Sequence, residues 1–97
     1  MSTYKPTDNQ KALLAFLGSA YSIKQIDLEM CLYRKLNANY DIEIVGTYRK
    51  NQPISVFVWH IRNGVNYTAQ IAEEVRNITD WDVLKNTLDS LIDKYTL

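Results

Sequence analysis

The middle third of the chain alternates apolar and polar side chains, and this period of two constrains the fold more than any other feature of the sequence. The alternation runs over residues 26–33 and returns over residues 41–44. Successive side chains of a β-strand point to opposite faces of the sheet, so the pattern predicts strands that each bury one face. The apolar members are Ile26, Leu28, Met30 and Leu32 in the first segment and Ile42 and Ile44 in the second.

Two later segments extend the predicted sheet. Residues 54–61 are largely apolar on both faces, as in a central strand. The Asn63-Gly64 pair is a type I′ turn signal, and residues 65–71 after it are predicted to form a fourth strand. Residues 26–36 and 71–78 also carry apolar side chains at a helical spacing, so a helix stays open as the alternative for each of them.

A helical periodicity of apolar residues occurs on each side of this central part of the chain. Near the N-terminus, Thr7 and Gln10 have the spacing of a capping box, and Gly18 is expected to end the helix. Near the C-terminus, Thr79 is predicted to cap a second helix. The apolar stripes are Leu13, Phe16, Leu17 and Ala20 in the first helix and Leu84, Leu88, Leu91, Ile92 and Tyr95 in the second.

Together these elements predict a single α+β domain over residues 1–97. The expected architecture is a four-stranded antiparallel meander with the N-terminal and C-terminal helices packed on one face, in the order α-β-β-β-β-α. The 97 residues, of which 46% are hydrophobic, suit one core. Because so small a domain is marginal on its own core, a homo-oligomer is expected.

The first predicted hairpin has a specific register. A three-residue loop over residues 37–39 sets Leu32 opposite Ile44. It also sets Lys35 opposite Asp41 as a cross-strand ion pair. A slip of one residue would mix apolar and polar side chains on each face, which excludes that alternative.

The two later pairings follow from their loops in the same way. A loop over residues 50–53 sets Ile44 beside Val58. The Asn63-Gly64 turn then sets Val58 beside Ala69. The predicted core face of the sheet consists of Ile26, Leu28, Met30, Leu32, Ile42, Ile44, Ile54, Val56, Val58, Ala69 and Ile71.

The opposite face of the predicted sheet is less polar than a solvent-facing surface. Both helices are assigned to the first face, so the predicted fold leaves the second face uncovered. Aromatic residues dominate the energetics of protein interfaces, and Tyr33 and Trp59 are the expected anchors. We therefore predict a non-enzymatic protein-interaction module that forms a homodimer or docks another protein. The predicted interface residues are Tyr33, Val45, Phe57, Trp59 and Ile61.

A second hypothesis uses the same face to bind single-stranded nucleic acid. Basic residues are interleaved with aromatic ones over residues 33–62, as in modules that stack bases. The candidate residues are Arg34, Lys35, Arg49, Lys50 and Arg62. Asp41 and Glu43 weigh against this hypothesis because they fall among the aromatic residues, where they would repel phosphate. The whole chain has 11 basic and 11 acidic residues and a formal net charge of zero.

The sequence offers no residue set for catalysis, a cofactor or a metal. The single cysteine, Cys31, and the single histidine, His60, point to opposite faces in the predicted register. A closed zinc site needs four nitrogen or sulfur ligands, which one cysteine and one histidine do not supply. The polar N-terminus lacks the hydrophobic segment of a signal peptide, and no apolar run reaches about 20 residues. We therefore expect a cytoplasmic protein that does not bind membranes.

Overall fold

The structure is a computed structural model that describes residues 5–26, 29–61 and 69–96. Within these residues the chain forms two helices and five strands. The elements are helix α1 (Asp8–Leu17), strands β1 (Ser22–Ile26), β2 (Glu29–Lys35), β3 (Tyr40–Val45), β4 (Ile54–Ile61) and β5 (Ala69–Ile78), and helix α2 (Trp81–Thr96). The strands form one antiparallel sheet in the order β1-β2-β3-β4-β5. The fold class is therefore α+β, as predicted, with one strand more than expected.

The additional strand arises within the segment that is expected to form one strand over residues 26–36. The described part of this segment, Ile26 and Glu29–Lys35, is extended rather than helical, and it belongs to two strands, because Ile26 ends β1 and pairs with Glu29 at the start of β2. Residues 27 and 28 lie outside the described residues, and so does the predicted core position Leu28. β1 escapes prediction because its sequence, Ser-Ile-Lys-Gln-Ile, shows no period of two.

The hairpin between β2 and β3 has the predicted register. Leu32 pairs with Ile44, and Lys35 pairs with Asp41. The side chain of Asn37 closes the loop by accepting hydrogen bonds from two backbone N–H groups at 2.9 and 3.0 Å. This local closure stabilises the short loop and with it the register of the two strands.

The hairpin between β3 and β4 is shifted by two residues from the prediction. Ile44 pairs with Val56 and not with Val58. The reason is that the connection is longer than expected on the β3 side only: it begins at Gly46, whose φ is +79°, and ends at Pro53 as predicted. The centre of the turn therefore lies earlier in the chain, and the pairing moves with it. A shift of two residues keeps every side chain on its predicted face but changes its neighbours across the sheet.

The pairing of β4 with β5 departs further from the prediction. Trp59 pairs with Ile71, and the register shifts between Val58 and Trp59. The predicted pairing of Val58 with Ala69 is wrong: Val58 pairs with Glu73, and Ala69 pairs with Ile61. A register shift of this kind inserts a residue into one strand and reverses the facing of the side chains beyond it. Ala69 and Ile71 therefore lie on the face opposite Val58, and Ile71 is 49% exposed. Residues 71–78 form a strand and not a helix.

The core lies between the helices and one face of the sheet. Leucines from both helices join the buried residues of β2, β3 and β4 in one cluster. The predicted core positions that are confirmed as buried are Leu32, Ile42, Ile44, Ile54, Val56 and Val58. Ile26 is not among them because its pairing with Glu29 sets it on the other face. The predicted turn at Asn63-Gly64 lies outside the described residues.

A capping box and a buried glutamine anchor the start of α1. The Thr7 hydroxyl accepts the Gln10 backbone N–H at 3.2 Å, and the Gln10 side chain accepts the Thr7 backbone N–H at 3.0 Å, which confirms the predicted capping box. Gln10 is only 1% exposed. Its Nε2 donates to the Met30 carbonyl at 3.0 Å and to the Thr47 hydroxyl at 3.2 Å. These bonds join α1 to β2 and to the β3–β4 connection.

The far end of α1 follows the prediction less closely. Gly18 follows the last residue of the helix, with φ of +102°, as expected from its position. Leu13 is buried, but Phe16 is 39% exposed and packs its ring 5.5 Å from that of Trp81. Ala20 is exposed beyond the end of the helix. Of the predicted apolar stripe, Leu13 and Leu17 therefore contact the core, whereas Phe16 is exposed and Ala20 lies outside the helix.

Helix α2 is capped by Asp80 and not by the predicted Thr79. Asp80 Oδ1 accepts hydrogen bonds from the backbone N–H groups of Asp82 and Val83 at 2.7 and 3.2 Å. A carboxylate at this position satisfies helix N–H groups and also faces the positive end of the helix dipole. The predicted apolar stripe of α2 packs into the core through Leu84, Leu88, Leu91, Ile92 and Tyr95.

The C-terminal end of α2 is tied to the edge strand β5 through Glu73. Glu73 Oε1 accepts hydrogen bonds from Lys94 Nζ at 2.7 Å and from the Tyr95 hydroxyl at 2.8 Å. The bond from Lys94, and then the bond from Tyr95, lower the pKa of Glu73 below its ordinary value. This contact explains why a charged residue occupies the helix-side face of β5.

Gly46→Ala is expected to destabilise the fold more than Gly18→Ala. Both glycines have positive φ, so alanine at either position costs about 1–2 kcal/mol in backbone strain. A Cβ at Gly46 would also overlap the Pro53 carbonyl oxygen, whereas a Cβ at Gly18 meets no atom within 4 Å. We expect the free energy of unfolding to fall by about 3 kcal/mol for Gly46→Ala and about 1 kcal/mol for Gly18→Ala, measured by urea denaturation. Equal losses would contradict the close approach at Gly46.

Candidate protein-interaction face

The face of the sheet that points away from the helices, called the open face below, carries all five predicted interface residues. They are Tyr33, Val45, Phe57, Trp59 and Ile61, at alternate positions of β2, β3 and β4. Each of these side chains is half-buried. Both described helices pack on the other face of the sheet, so they do not cover these side chains.

Two rows of cross-strand neighbours cross the open face. One row is Lys35, Asp41, Trp59 and Ile71, and the other is Ser22, Tyr33, Glu43, Phe57 and Glu74. The predicted register sets Trp59 beside Glu43, whereas the observed shift sets Trp59 beside Asp41. The same shift sets Phe57 beside Glu43. Each aromatic ring of β4 therefore has a carboxylate on β3 as its neighbour.

Tyr33 is held by a hydrogen bond and by a cation. Its hydroxyl donates to Asp41 Oδ2 at 2.8 Å, and Lys24 Nζ lies 4.4 Å from the centre of its ring. Burial, and then the hydrogen bond to Asp41 and its negative charge, raise the pKa of Tyr33 to about 12. The phenol is therefore a neutral hydrogen-bond donor at neutral pH.

Phe57 has a similar environment on the same face of the sheet, next to β5. The guanidinium of Arg76 lies 5.9 Å from the centre of the Phe57 ring. Arg76 Nε also forms an ion pair with Glu74 at 2.7 Å. The rings of Phe57 and Trp59 are 6.4 Å apart. Long cationic side chains thus lie over two of the aromatic residues and contribute to their half-burial.

Charged side chains of both signs surround the aromatic residues of the open face. The cations are Lys24, Lys35 and Arg76, and the carboxylates are Glu29, Asp41, Glu43 and Glu74. The ion pairs formed among the described residues include Arg76–Glu74, Lys85–Asp89 and Lys94–Glu73. The expected ion pair of Lys35 with Asp41 is not one of these, although the two residues are cross-strand partners.

A groove with a volume of about 570 Å³ crosses the open face. The residues that line it include Lys24, Ile26, Tyr33, Asp41, Trp59 and Ile61. Three of the five predicted interface residues are in this set. β1 therefore supplies one wall of the groove, and β2, β3 and β4 supply its floor.

Cys31 and His60 do not come together. Cys31 pairs with Lys24 on the open-face side and is buried among its neighbours at 2% exposure. The ring of His60 packs against that of Tyr40, with centroids 5.1 Å apart, and Tyr40 in turn packs against Tyr95 of α2. The thiol and the imidazole are thus on opposite faces of the sheet, as the alternation predicts.

The basic residues of the nucleic-acid hypothesis are distributed over several parts of the molecule. Arg34 pairs with the core residue Ile42, and its guanidinium lies 5.3 Å from the ring centre of Tyr21 on the helix side. Lys35 is on the open face. Arg49 and Lys50 are exposed in the β3–β4 connection, and Arg62 lies outside the described residues. The four described residues do not share one surface.

The chain was compared with protein-family models, with curated proteins and with solved structures, and no match was found in any of the three. In the part of the chain that the structure describes, neither helix has the length and apolar composition needed to cross a membrane.

Sequence reasoning missed three components of this site: Lys24, Ile26 and Arg76. Lys24 and Ile26 belong to β1, whose short sequence carries no clear alternation. The facing of Arg76 depends on the register shifts in β5, which no local pattern specifies. Asp41 and Glu43 were recognisable on this face from their parity, but their aromatic neighbours were not.

The pKa of Tyr33 tests its contact with Asp41. Asp41→Asn keeps an acceptor for the hydroxyl but removes the negative charge that disfavours the phenolate. We expect the pKa of Tyr33 to fall from about 12 and to remain above the ordinary value of about 10, because burial still raises it. The measurement is a pH titration of the tyrosine ¹³Cζ chemical shifts, with Tyr33→Phe to identify the resonance among seven tyrosines. An unchanged pKa would contradict the contact.

Proposed function

We propose that this protein is a small non-enzymatic protein-interaction module that self-associates into a homodimer through the open face. The observation that supports the proposal is the position of Tyr33, Phe57, Trp59 and Ile61, which are partly exposed on a sheet face that the described helices do not cover. Contiguous exposed apolar surface on a small protein marks an interaction site more often than scattered apolar residues do.

The composition of the face matches that of protein interfaces. Tyrosine and tryptophan provide large contact area and polar atoms that remain satisfied at an interface. Complete burial of a side chain such as Phe57 on association contributes at most about 1.5–3 kcal/mol. Charges of both signs around the rings allow a second copy to approach without net repulsion.

The same arrangement favours a protein partner over nucleic acid. Asp41 and Glu43 are the immediate neighbours of Trp59 and Phe57, where a stacked base would bring its phosphate close to a carboxylate. Arg49 and Lys50 lie in the β3–β4 connection and do not border the groove. The basic residues therefore lack the continuous track that a single strand requires.

The double variant Phe57→Ala/Trp59→Ala is expected to convert the dimer to a monomer. Buried aromatic anchors typically contribute about 2 kcal/mol or more, so the dissociation constant of the dimer should rise at least about 30-fold. The measurement is size-exclusion chromatography with light scattering over a range of protein concentrations. Tyr48→Ala is the matched control, because Tyr48 is an exposed aromatic residue in the β3–β4 connection, away from the open face.

Circular dichroism and thermal unfolding of the double variant separate loss of association from loss of fold. The proposal requires that the far-ultraviolet spectrum be retained while the mass halves. A wild-type protein that stays monomeric at high concentration would refute self-association. An unfolded double variant would show that the two rings stabilise the core, and the single variants Phe57→Ala and Trp59→Ala would then be measured in the same way.

The nucleic-acid hypothesis is tested by fluorescence anisotropy with labelled single-stranded RNA and DNA. We expect no binding at low salt, because carboxylates adjoin the aromatic rings and the basic residues are dispersed. Binding that weakens steeply as the salt concentration rises would support the nucleic-acid hypothesis instead. In that case Lys35→Gln and Arg49→Gln should each reduce the affinity.

A further inference from the structure

We infer that the two copies meet face to face about a two-fold axis parallel to the strands and between β2 and β3, so that Lys35 of each copy pairs with Asp41 of the other. This inference rests on the proposed self-association and adds its geometry. The occupant of the open face is a second copy of the chain. The observation that supports it is the position of a cation and a carboxylate at the same level of two adjacent strands, Lys35 on β2 and Asp41 on β3.

On the open face, the end of β2 beside the hairpin loop carries a cation, and the facing end of β3 carries carboxylates. Lys35 of β2 has an ammonium group, whereas the single proton of the Tyr33 phenol is already donated to Asp41 of its own chain. Asp41 and Glu43 of β3 carry carboxylates. Lys35 is exposed and is absent from the ion pairs formed among the described residues. Asp41 accepts the Tyr33 hydroxyl through Oδ2, and a carboxylate has the capacity to accept further hydrogen bonds.

The register of the hairpin makes these two strands self-complementary. Lys35 and Asp41 are at the same level of the sheet, and so are Tyr33 and Glu43. Rotation about a two-fold axis parallel to the strands leaves each residue at the same height along the strands. It places a strand on one side of the axis opposite the second copy's strand from the other side. An axis between β2 and β3 therefore sets Lys35 over Asp41 of the second copy and Tyr33 over Glu43 of the second copy, twice each.

Other two-fold axes set like groups against each other. An axis along β3 brings the Asp41 carboxylates of the two copies together. An axis along β2 brings the two Lys35 ammonium groups together. An axis between β3 and β4 places Asp41 and Glu43 on the rings of Trp59 and Phe57, whose faces are electronegative. An axis across the strands keeps β3 over β3 and brings carboxylate towards carboxylate. Of these axes, the one between β2 and β3 pairs opposite charges.

Charge reversal at the two positions tests this geometry. Lys35→Glu sets two carboxylates together across the dimer, and Asp41→Lys sets two ammonium groups together. Each variant alone is expected to raise the dissociation constant of the dimer at least about tenfold. A mixture of the two variants restores both contacts, because the introduced glutamate of one chain meets the introduced lysine of the other, and the unchanged Asp41 of the first chain meets the unchanged Lys35 of the second. We therefore expect the mixture to form a heterodimer, detected by native mass spectrometry with one chain labelled with ¹⁵N.

The mixing design separates contacts between chains from contacts within one chain. Lys35 and Asp41 are neighbours in the same sheet, so either reversal also perturbs its own chain, but that perturbation is identical in the variant alone and in the mixture. The matched control is the pair Lys85→Glu and Asp89→Lys, which reverses an exposed ion pair on α2, on the other side of the sheet from the open face. Neither control variant is expected to weaken the dimer tenfold, and their mixture should gain nothing.

The outcomes distinguish the two levels of the proposal. A wild-type monomer refutes the self-association and this inference together. A wild-type dimer that both reversals leave intact, or whose variants stay monomeric when mixed, refutes the axis and leaves the self-association standing. If a reversal variant does not fold, Lys35→Gln and Asp41→Asn replace them in a double-mutant cycle on dimer affinity. Additive losses in that cycle would overturn the pairing, and a double variant no weaker than either single variant would support it.

Discussion

The register of β4 against β3 is the constraint on which the rest of this structure depends, and it is set in the connection between the two strands. Gly46 adopts a positive φ next to Pro53, where a side chain would not fit. Beside it, the Thr47 hydroxyl accepts the buried amide of Gln10. Leaving such a buried donor without a partner costs about 1–3 kcal/mol. Helix α1 and the connection therefore hold each other in place, and a slip of the hairpin would disturb both.

This register determines which side chains are neighbours on the open face. Asp41 neighbours Trp59, and Glu43 neighbours Phe57, because β3 ends before Gly46. Had the hairpin followed the shorter loop, the same residues would occupy the same face with different neighbours. The resulting surface combines aromatic rings with charges of both signs. In the monomer this surface can be in contact with water, because the aliphatic parts of lysine and arginine side chains partly cover the aromatic rings. Its charged groups can form polar contacts with a second chain.

The parts of the fold that could be predicted are those that interactions between residues close in the sequence determine. The capping box of Thr7 and Gln10, the end of α1 at Gly18 and the register of Leu32 with Ile44 all follow from short-range hydrogen bonds or backbone preferences. The errors lie where one inserted residue changes the facing of everything beyond it. In β5 the register shift turns Ile71 outward and Glu73 towards the helices, and Glu73 is stabilised there by Lys94 and Tyr95 of α2. Lys94 is 21 residues from Glu73 in the chain, so the sequence pattern around Glu73 does not indicate this contact.

By itself, the sequence determined the class of the fold, the two helices, the facing of β2, β3 and β4, and therefore which aromatic residues share a surface. These properties depend on periodicity, which each segment carries alone. The tertiary structure decided the additional strand β1, the pairing of each ring with a carboxylate and the wall that Lys24 and Ile26 build beside the groove. Those properties depend on loop lengths, register shifts and long-range hydrogen bonds. These contribute to stability only once segments that are distant in the sequence are in contact.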